Sequence, residues 1–508
     1  MNAAMLVRSR VVLLVLLLCI LYLPSCSFQA KEATSNFAVY KHFAVAESKN
    51  RPGGWAQTIV THNEVIYAVW VDAKFRTMIA RIPPDGNATT NVIFESTDED
   101  NYHNVPVIGV DKYGYIHVAG NMHHSPWGRC SAHRTSKAAN PCYQDKNEFY
   151  DYAWQYVVSD KPEDISSFSF HGDDAMSPPG TWISYPYFAR DRNKELYVSF
   201  RHRVKFDGGW TAGSMALGLA RYDADNRRWT ALGGRDYEHG TDVVHPLAGR
   251  SNGKTFFWEN AGYRNTAYQG YKSRMFFDKN NRMHLSFAAN DGTNTANSRD
   301  THIMYAYSDD GGKTFRRSDG SRFETLPIRL DTADVVVPEK FHKNGYITTS
   351  FVGVDPDGHP LIVFESYGEG GQGFITTHRP ELGWSYPKPI RTTSARMITD
   401  QNGIMTVVYH SSLFRSKDSG RSWTKYGVPG TGNGFDVVFD EQYHQETGKL
   451  RFFDMKSGVY TLVNSESRRL LAEGDRLLQS RPKRQVDSLP PLTGRWWELR
   501  SDSLDGGP

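Results

Sequence analysis

His123 and His124 fall in the stretch Gly120-Asn-Met-His-His-Ser-Pro-Trp127, directly after the apolar run Tyr115-Ile-His-Val-Ala119. Tyr185 stands in Ser184-Tyr-Pro-Tyr-Phe188, and Arg201 and Arg203 open the basic cluster Arg201-His-Arg-Val-Lys205. A neutral imidazole takes a proton near pH 7, and a phenol can give one to a departing oxygen. A guanidinium stays charged and pairs bidentately with a carboxylate. One reaction that uses all three is β-elimination from a uronic acid in a polysaccharide. A base removes the C5 proton, a cation stabilises the enolate-like charge on the adjacent carboxylate, and a hydroxyl protonates the leaving glycosidic oxygen. That scheme requires no metal. Any one of these residues alone is as well explained by a polar strand end meeting water, so their placement has to decide.

The elements that would place them recur along the chain. A short polar turn, often opened by Asp, precedes an apolar-rich strand seven times, beginning at Thr61, Asp111, Asp191, Asp278, Asp355, Asp400 and His444. The turn residues tolerate left-handed backbone, and the strands are β-branched or aromatic with partial alternation. The last two intervals, 45 and 44 residues, suit a four-stranded propeller blade. The middle intervals are nearly twice as long and imply insertions. Seven turns predict an all-β, seven-bladed β-propeller. Ser308-Asp-Asp-Gly-Gly-Lys-Thr-Phe315 and Ser416-Lys-Asp-Ser-Gly-Arg-Ser-Trp423 both fit S-x-D-x-G-x-[TS]-[WF], the Asp-box turn of sialidase-like propellers. Such turns mark the outer part of a blade and carry no catalysis.

Equivalent positions in blades lie on a circle, so residues just past the seven repeat strands share one face. They are Asp72, His123 and His124, Arg201 to Arg203, Asn290 and Asp291, Glu365, His410 and Asp454, nearly all polar or ionisable. Hairpin symmetry sharpens two pairs. About the turn near Asn193, Tyr185 faces Arg201; about Tyr113, His103 faces His123.

Composition limits the partners. With 59 Lys and Arg against 56 Asp and Glu, the net charge is only +3. No global field points to nucleic acid, and an acidic partner must be held by a local cluster. Aromatics at 13%, with 44 glycines and 24 prolines, fit many short strands. Arg8 and Arg10 precede an uncharged run, Val11 to Leu23, of signal-peptide length and too short for a comfortable membrane span. It ends in Leu23-Pro-Ser-Cys26, which resembles a lipobox with Cys26 as the acylated residue; an ordinary cleaved signal is the alternative. Either exports the protein, to the cell surface or outer membrane in the first case. Residues 1–26 are thus read as a signal peptide, 38–464 as the propeller and 465–508 as a C-terminal extension. Cys130 and Cys142 remain in the exported chain and most often would form a disulfide. His133 lies between them, so a structural zinc on Cys130, His133 and Cys142 stays open.

Gly-Asn-Met-His-His-Ser-Pro after Asp111-Lys-Tyr-Gly-Tyr-Ile-His-Val-Ala-Gly120, Ser184-Tyr-Pro-Tyr-Phe188, Asn265-Thr-Ala-Tyr-Gln-Gly-Tyr271 and the first Asp box together resemble the BNR-repeat polysaccharide lyases that cleave ulvan. The closer resemblance is to lyase family 25, with family 24 related, and it spans most of residues 60 to 460. It implies a seven-bladed propeller acting on an anionic sulfated polysaccharide, with His123 as base, Tyr185 as acid and Arg201 neutralising the uronate. Tyr268 resembles a substrate-contacting tyrosine; His103, His124, Arg203, Asn290, Glu365 and His410 complete the expected substrate surface. The segments Pro126 to Tyr152 and Gly249 to Arg264 look longer than the family's connections. Related lyases that hold a metal keep a structural zinc or calcium in view. A monomer, attached to membrane only through a lipid, is expected. Two other functions compete: a sialidase-like glycoside hydrolase, prompted by the Asp boxes and Arg81-Ile-Pro83, and a non-catalytic glycan-binding propeller.

Overall fold

A computed structural model describes residues 30–32, 37–45, 56–74, 76–94, 105–120, 155–172, 176–179, 183–203, 215–236, 254–257, 268–291, 299–337, 350–366, 372–390, 396–409, 412–427, 437–454 and 457–464. By contacts the chain divides into Met1–Asn464 and Ser465–Pro508; every described residue lies in the first unit.

Seven sheets make the seven expected blades, antiparallel throughout except for the short strand Ala30–Glu32, which adds parallel to the edge of blade 6. In each, the strands are counted outward from the axis, and the first two form the hairpin carried by one sequence repeat. Blade 1 is built from Ile59–His62, Val65–Val71, Thr77–Ile82 and Thr89–Phe94. Blade 2 has Val107–Val110, Ile116–Ala119, Tyr156–Ser159 and Phe168–Phe170; blade 3 begins with Ser184–Arg190, Leu196–Arg203 and Met215–Asp223. Blade 4 has Tyr268–Phe277, Met283–Asp291, Arg299–Ser308 and Asp334–Val337. Blade 5 begins with Phe351–Val354, Pro360–Ser366 and Gln372–Arg379; blade 6 has Arg396–Thr399, Met405–Tyr409, Ser412–Ser416 and Trp423–Gly427. Blade 7 combines Val437–Phe439, Leu450–Asp454 and Gly458–Asn464 with Phe37–Phe43 from the other end of the chain. That antiparallel pairing closes the ring.

The partial alternation in the sequence now has a cause. Inner strands are packed on both faces by neighbouring blades, so they read as apolar runs. Val65–Val71 is buried at all seven positions, whereas the outermost strand of blade 1, Thr89–Phe94, is exposed or half-buried throughout. Apolar layers fill the spaces between blades. Tyr197 and Leu219 of blade 3 meet Phe277 and Leu285 of blade 4; Ile398 and Leu413 of blade 6 meet Phe439 and Phe452 of blade 7.

The recurring Asp has a repeated job. Asp111 Oδ1 accepts the backbone N–H of Tyr113 and of Tyr115, each at 2.9 Å. Asp191, Asp278, Asp355 and Asp400 bind the residues two and four further on in the same way. A buried carboxylate thus satisfies two donors that the tight turn leaves unpaired. The seventh repeat departs from the expected turn. Its Asp is Asp440, and His444 lies inside a helix, α1 (Glu441–Thr447), N-capped by Asp440 and closed by left-handed Gly448.

Alternating strand direction sorts the connections onto two faces. Turns between first and second strands, and between third and fourth, lie on one; the connections between second and third strands lie on the other. Both Asp boxes join third to fourth strands. In each, Asp310 or Asp418 accepts the backbone and hydroxyl groups of its own turn, and Phe315 or Trp423 is buried between strands. The Asp boxes therefore lie opposite the second-strand ends, where the expected site falls.

Candidate active site

Blade 3 brings Tyr185 and Arg201 together, though not by the expected register. Ser184, not Tyr185, is the ladder partner of Arg201, and the ladder resumes one residue out of step at Tyr187–Ser199. The extra residue makes a bulge, with Tyr185 held at φ 53°. A bulky residue there is strained by about 1–3 kcal/mol, a cost typical of functional positions. The bulge turns the Tyr185 ring across the Arg201 guanidinium, which lies 4.8 Å from the ring centre. Arg201 Nε donates to Ser184 Oγ at 2.6 Å. The guanidinium is thereby fixed at one edge, which leaves the planar Nη pair as the natural face for a carboxylate.

Blade 4 contributes two residues that sequence reasoning missed. The Tyr271 ring lies 5.1 Å from the same guanidinium, and its hydroxyl is 2.9 Å from that of Tyr185. Lys272 Nζ stands 4.8 Å from the Tyr271 ring centre and 5.4 Å from that of Tyr185. Two phenols and two cations thus converge at the cleft end of blades 3 and 4. Tyr185 is only 2% exposed and belongs to the apolar core, whereas Tyr271 is half-buried. Tyr271 is the last residue of Asn265-Thr-Ala-Tyr-Gln-Gly-Tyr271. The expectation from that motif falls on Tyr268, three residues earlier in the same strand. A second bulge, between Gly270 and Ser273, sets the local course of the strand around Tyr271 and Lys272.

The other expected residues divide into three groups. Arg203 ends the second strand of blade 3; Tyr268 and Asn290 occupy adjacent rungs at the cleft end of blade 4, opposite Asp291 and Gln269 respectively. Half-buried Glu365 is near the end of the second strand of blade 5, opposite Gly373. His103, His123, His124 and His410 lie outside the described residues, as do Cys130, His133 and Cys142. The blade 2 register, Val107 with Ala119, is the one on which the His103–His123 pairing was expected. Asp72 and Asp454 are turn residues: Asp72 binds the N–H groups of Lys74 and Arg76, and Asp454 accepts the Ser457 hydroxyl. Arg81, which prompted the hydrolase alternative, lies near the Asp-box end of blade 1 and donates to the Glu163 carbonyl at 3.0 Å.

Below the cluster, the axis is occupied. A cavity there is lined by Tyr187 and Arg190 of blade 3, Met275 to Phe277 of blade 4, and Glu441, Gln442 and Gln445 of α1. The Arg274 guanidinium is sandwiched between the Tyr187 and Phe351 rings at 4.4 and 4.7 Å. Tyr187 donates to Glu441 at 2.6 Å, with Arg274 at 3.5 Å from the same carboxylate. Burial raises the Glu441 carboxyl and the Tyr187 phenol above their ordinary values. This apolar-walled cavity lies away from the phenol–cation cluster, and its polar groups tie α1 to blades 3 and 4. Among the described residues, Asp355, Asp357 and His359 could bring ligand atoms to one cation. But Asp355 Oδ1 holds its own turn and Oδ2 takes the Arg379 guanidinium at 2.6 Å. That arrangement is a braced turn rather than a metal centre.

Residues 65–429 match the BNR repeat-containing family, and the chain belongs to it. No curated protein sequence matches the chain. Among solved structures it is similar to a family 25 ulvan lyase bound to a glucuronate–sulfated rhamnose unit. The identity is 14%, with a TM-score of 0.55, over 83% of this chain and 96% of that one. A second polysaccharide lyase is 16% identical at the same TM-score of 0.55, over 87% of this chain and 95% of that one. At these identities the likeness is one of fold.

Proposed function

We propose that this protein is a polysaccharide lyase that cleaves an anionic, sulfated polysaccharide by β-elimination at a uronic acid, with ulvan as its substrate. The observation that carries this is Arg201, held edge-on by Ser184 between two phenols whose hydroxyls touch at 2.9 Å. Support comes from the shared fold with a lyase bound to a glucuronate-containing unit and from the motif that supplies His123.

In this reading Arg201 pairs with the uronate carboxylate and draws charge toward it, acidifying C5. His123 takes the C5 proton. The electron pair left on C5 forms the C4–C5 double bond as the bond from C4 to the glycosidic oxygen breaks. The Tyr185–Tyr271 pair delivers a proton to that oxygen. Because Tyr185 is nearly enclosed, Tyr271 supplies its route to the cleft. Lys272 and Arg203 add positive charge for sulfate groups, with His103, His124, Tyr268, Asn290, Glu365 and His410 along the polymer path. Each residue either moves a proton or holds charge where it develops.

The test is near-ultraviolet absorbance of purified protein mixed with ulvan. A rising signal from the conjugated, unsaturated uronate supports elimination. New reducing ends without that signal would mean hydrolysis; neither, with retained polymer binding, would mean a non-catalytic binder.

A further inference from the structure

The lipobox-like Cys26 plays no part in that chemistry, yet the fold says where a lipid on it would sit. Ala30–Glu32 runs parallel to the outermost strand of blade 6, Ala30 opposite Trp423 and Glu32 opposite Lys425. Trp423 ends the blade 6 Asp box, so the chain enters this strand on the Asp-box face and runs toward the cleft face. Cys26 stands four residues before Ala30, which is at most about 14 Å of extended chain. A lipid on Cys26 would therefore be attached within about 14 Å of Ala30, which lies at the Asp-box end of blade 6.

An independent feature lies at the same place. The turns after the third strands of blades 5 and 6 meet at one carboxylate: Asp355 Oδ2 accepts Arg379 Nη1 at 2.6 Å and Ser419 Oγ at 2.8 Å. The first of these turns carries Leu382, which is 84% exposed, and Tyr386, four residues on, is 78% exposed. Among the described residues these are the two most exposed large apolar side chains. The second turn presents Lys417 and Arg421, both exposed, and Lys388 is exposed nearby. The exposed acids of the patch are Glu381 and Asp357. A protruding aliphatic side chain, a neighbouring Tyr and an excess of cations are the side chains an anionic lipid surface takes up.

We propose that the Asp-box rim of blades 5 and 6 rests on an anionic membrane beneath a lipid on Cys26, and so holds the cleft outward. A tether alone leaves the propeller free to tumble; the rim removes that freedom. The second-strand ends, including Arg201, lie on the opposite face, so the cleft points away from the lipid toward a polymer too large to pass beneath the protein. This rests on the acylation of Cys26 and is independent of the lyase reading.

The full chain, purified from membranes, is first weighed intact. An unmodified Cys26, or a chain cleaved elsewhere, overturns the proposal and leaves the lyase reading untouched. The acylated chain is then placed in phosphatidylethanolamine–phosphatidylglycerol vesicles containing a nitroxide-headgroup lipid. A fluorescent amino acid is introduced at Leu382 or, as the cleft-face control, at exposed Lys74. Strong quenching at 382 with none at 74 is expected; equal quenching, the reverse, or none at either overturns the orientation. In the Cys26→Ser chain, Lys417→Gln and Arg421→Gln should each weaken binding to these vesicles about fivefold. Unchanged binding removes the rim from the contact.

Discussion

Replacing Arg201 by Lys tests the site most directly, because it keeps the charge and removes the geometry. In the parent the guanidinium lies 4.8 and 5.1 Å from two ring centres and donates to Ser184 at 2.6 Å. Each cation–π contact is worth about 0.5–2 kcal/mol, and Lys retains part of that. The hydrogen bond from a charged donor is worth about 1.5–3 kcal/mol and is lost. The expected net destabilisation is about 1–3 kcal/mol, which a domain this size survives folded. The rate should suffer more. Loss of a two-point contact to a developing enolate costs about 10²- to 10³-fold in kcat. The assay is the near-ultraviolet rise with ulvan, alongside a thermal melt to show that the variant is folded. A folded Arg201→Lys protein with kcat/KM within about threefold of the parent would refute the assignment of Arg201 to the carboxylate.

The remaining expectations are briefer. Tyr185→Phe should lower kcat by about 10²- to 10⁴-fold while polymer binding in a gel-shift assay persists. Tyr271→Phe should lower kcat by at least about tenfold; if it leaves kcat unchanged, Tyr185 reaches the substrate without Tyr271. Asp418→Ala removes the acceptor for the Ser422 N–H and hydroxyl in the blade 6 Asp box. It should cost about 1–3 kcal/mol in denaturant unfolding with kcat intact, and a matching loss of kcat in the folded variant would contradict the structural role of that turn. Acidification should also weaken the fold. Burial holds His117 and His284 below 6.5, and His444 at about 4, so the folded chain binds fewer protons than the unfolded one. Their stability is whole above 6.5 and is lost as pH falls; His444 alone accounts for up to about 3 kcal/mol by pH 4. Buried Asp440, raised from 3.8 to about 6, acts oppositely, gaining stability as pH falls through 6. With His42, His62 and His378 lowered likewise, six imidazoles stand against two raised carboxyls, Asp440 and Glu441, and predict a lower guanidinium midpoint at about pH 5 than at about pH 7; an equal or higher midpoint would show that these imidazoles do not stay neutral.

The seven blades were legible because the turn chemistry is local. One Asp satisfying the donors two and four residues ahead needs no tertiary help, so five of the seven repeats could be read from the residues that make that contact. The last repeat was legible as a strand but not as a helix. Glu441–Thr447 is too short to show a period, and its cap residues, Asp440 and Gly448, read equally well as turn formers. Its buried ties, Tyr187 and Arg274, come from blades 3 and 4, more than 160 residues earlier in sequence.

The site was half legible for a reason that also bears on its chemistry. Hairpin symmetry paired Tyr185 with Arg201, and the two do meet, yet the regular ladder would have set them one residue apart from where they are. A bulge cannot be seen in a pattern whose period is two, because the inserted residue shifts the strand without changing its composition. That inserted residue is Tyr185 itself, forced to φ 53°. On blade 4 the shift between Gly270 and Ser273 falls at Tyr271 and Lys272, the two residues missed. Both blades therefore break their ladders at the level where the phenols and cations converge. In a regular strand adjacent Tyr271 and Lys272 would point to opposite faces, whereas here Lys272 Nζ lies 4.8 Å from the Tyr271 ring centre. If the bulges exist to build the site, deleting Tyr185 should restore the register, with Ser184 moving up to meet the ladder. The blade should then be no less stable, while Arg201 loses a ring and activity vanishes. A deletion that unfolds the protein instead would mean that the bulge serves blade packing first and the cleft second.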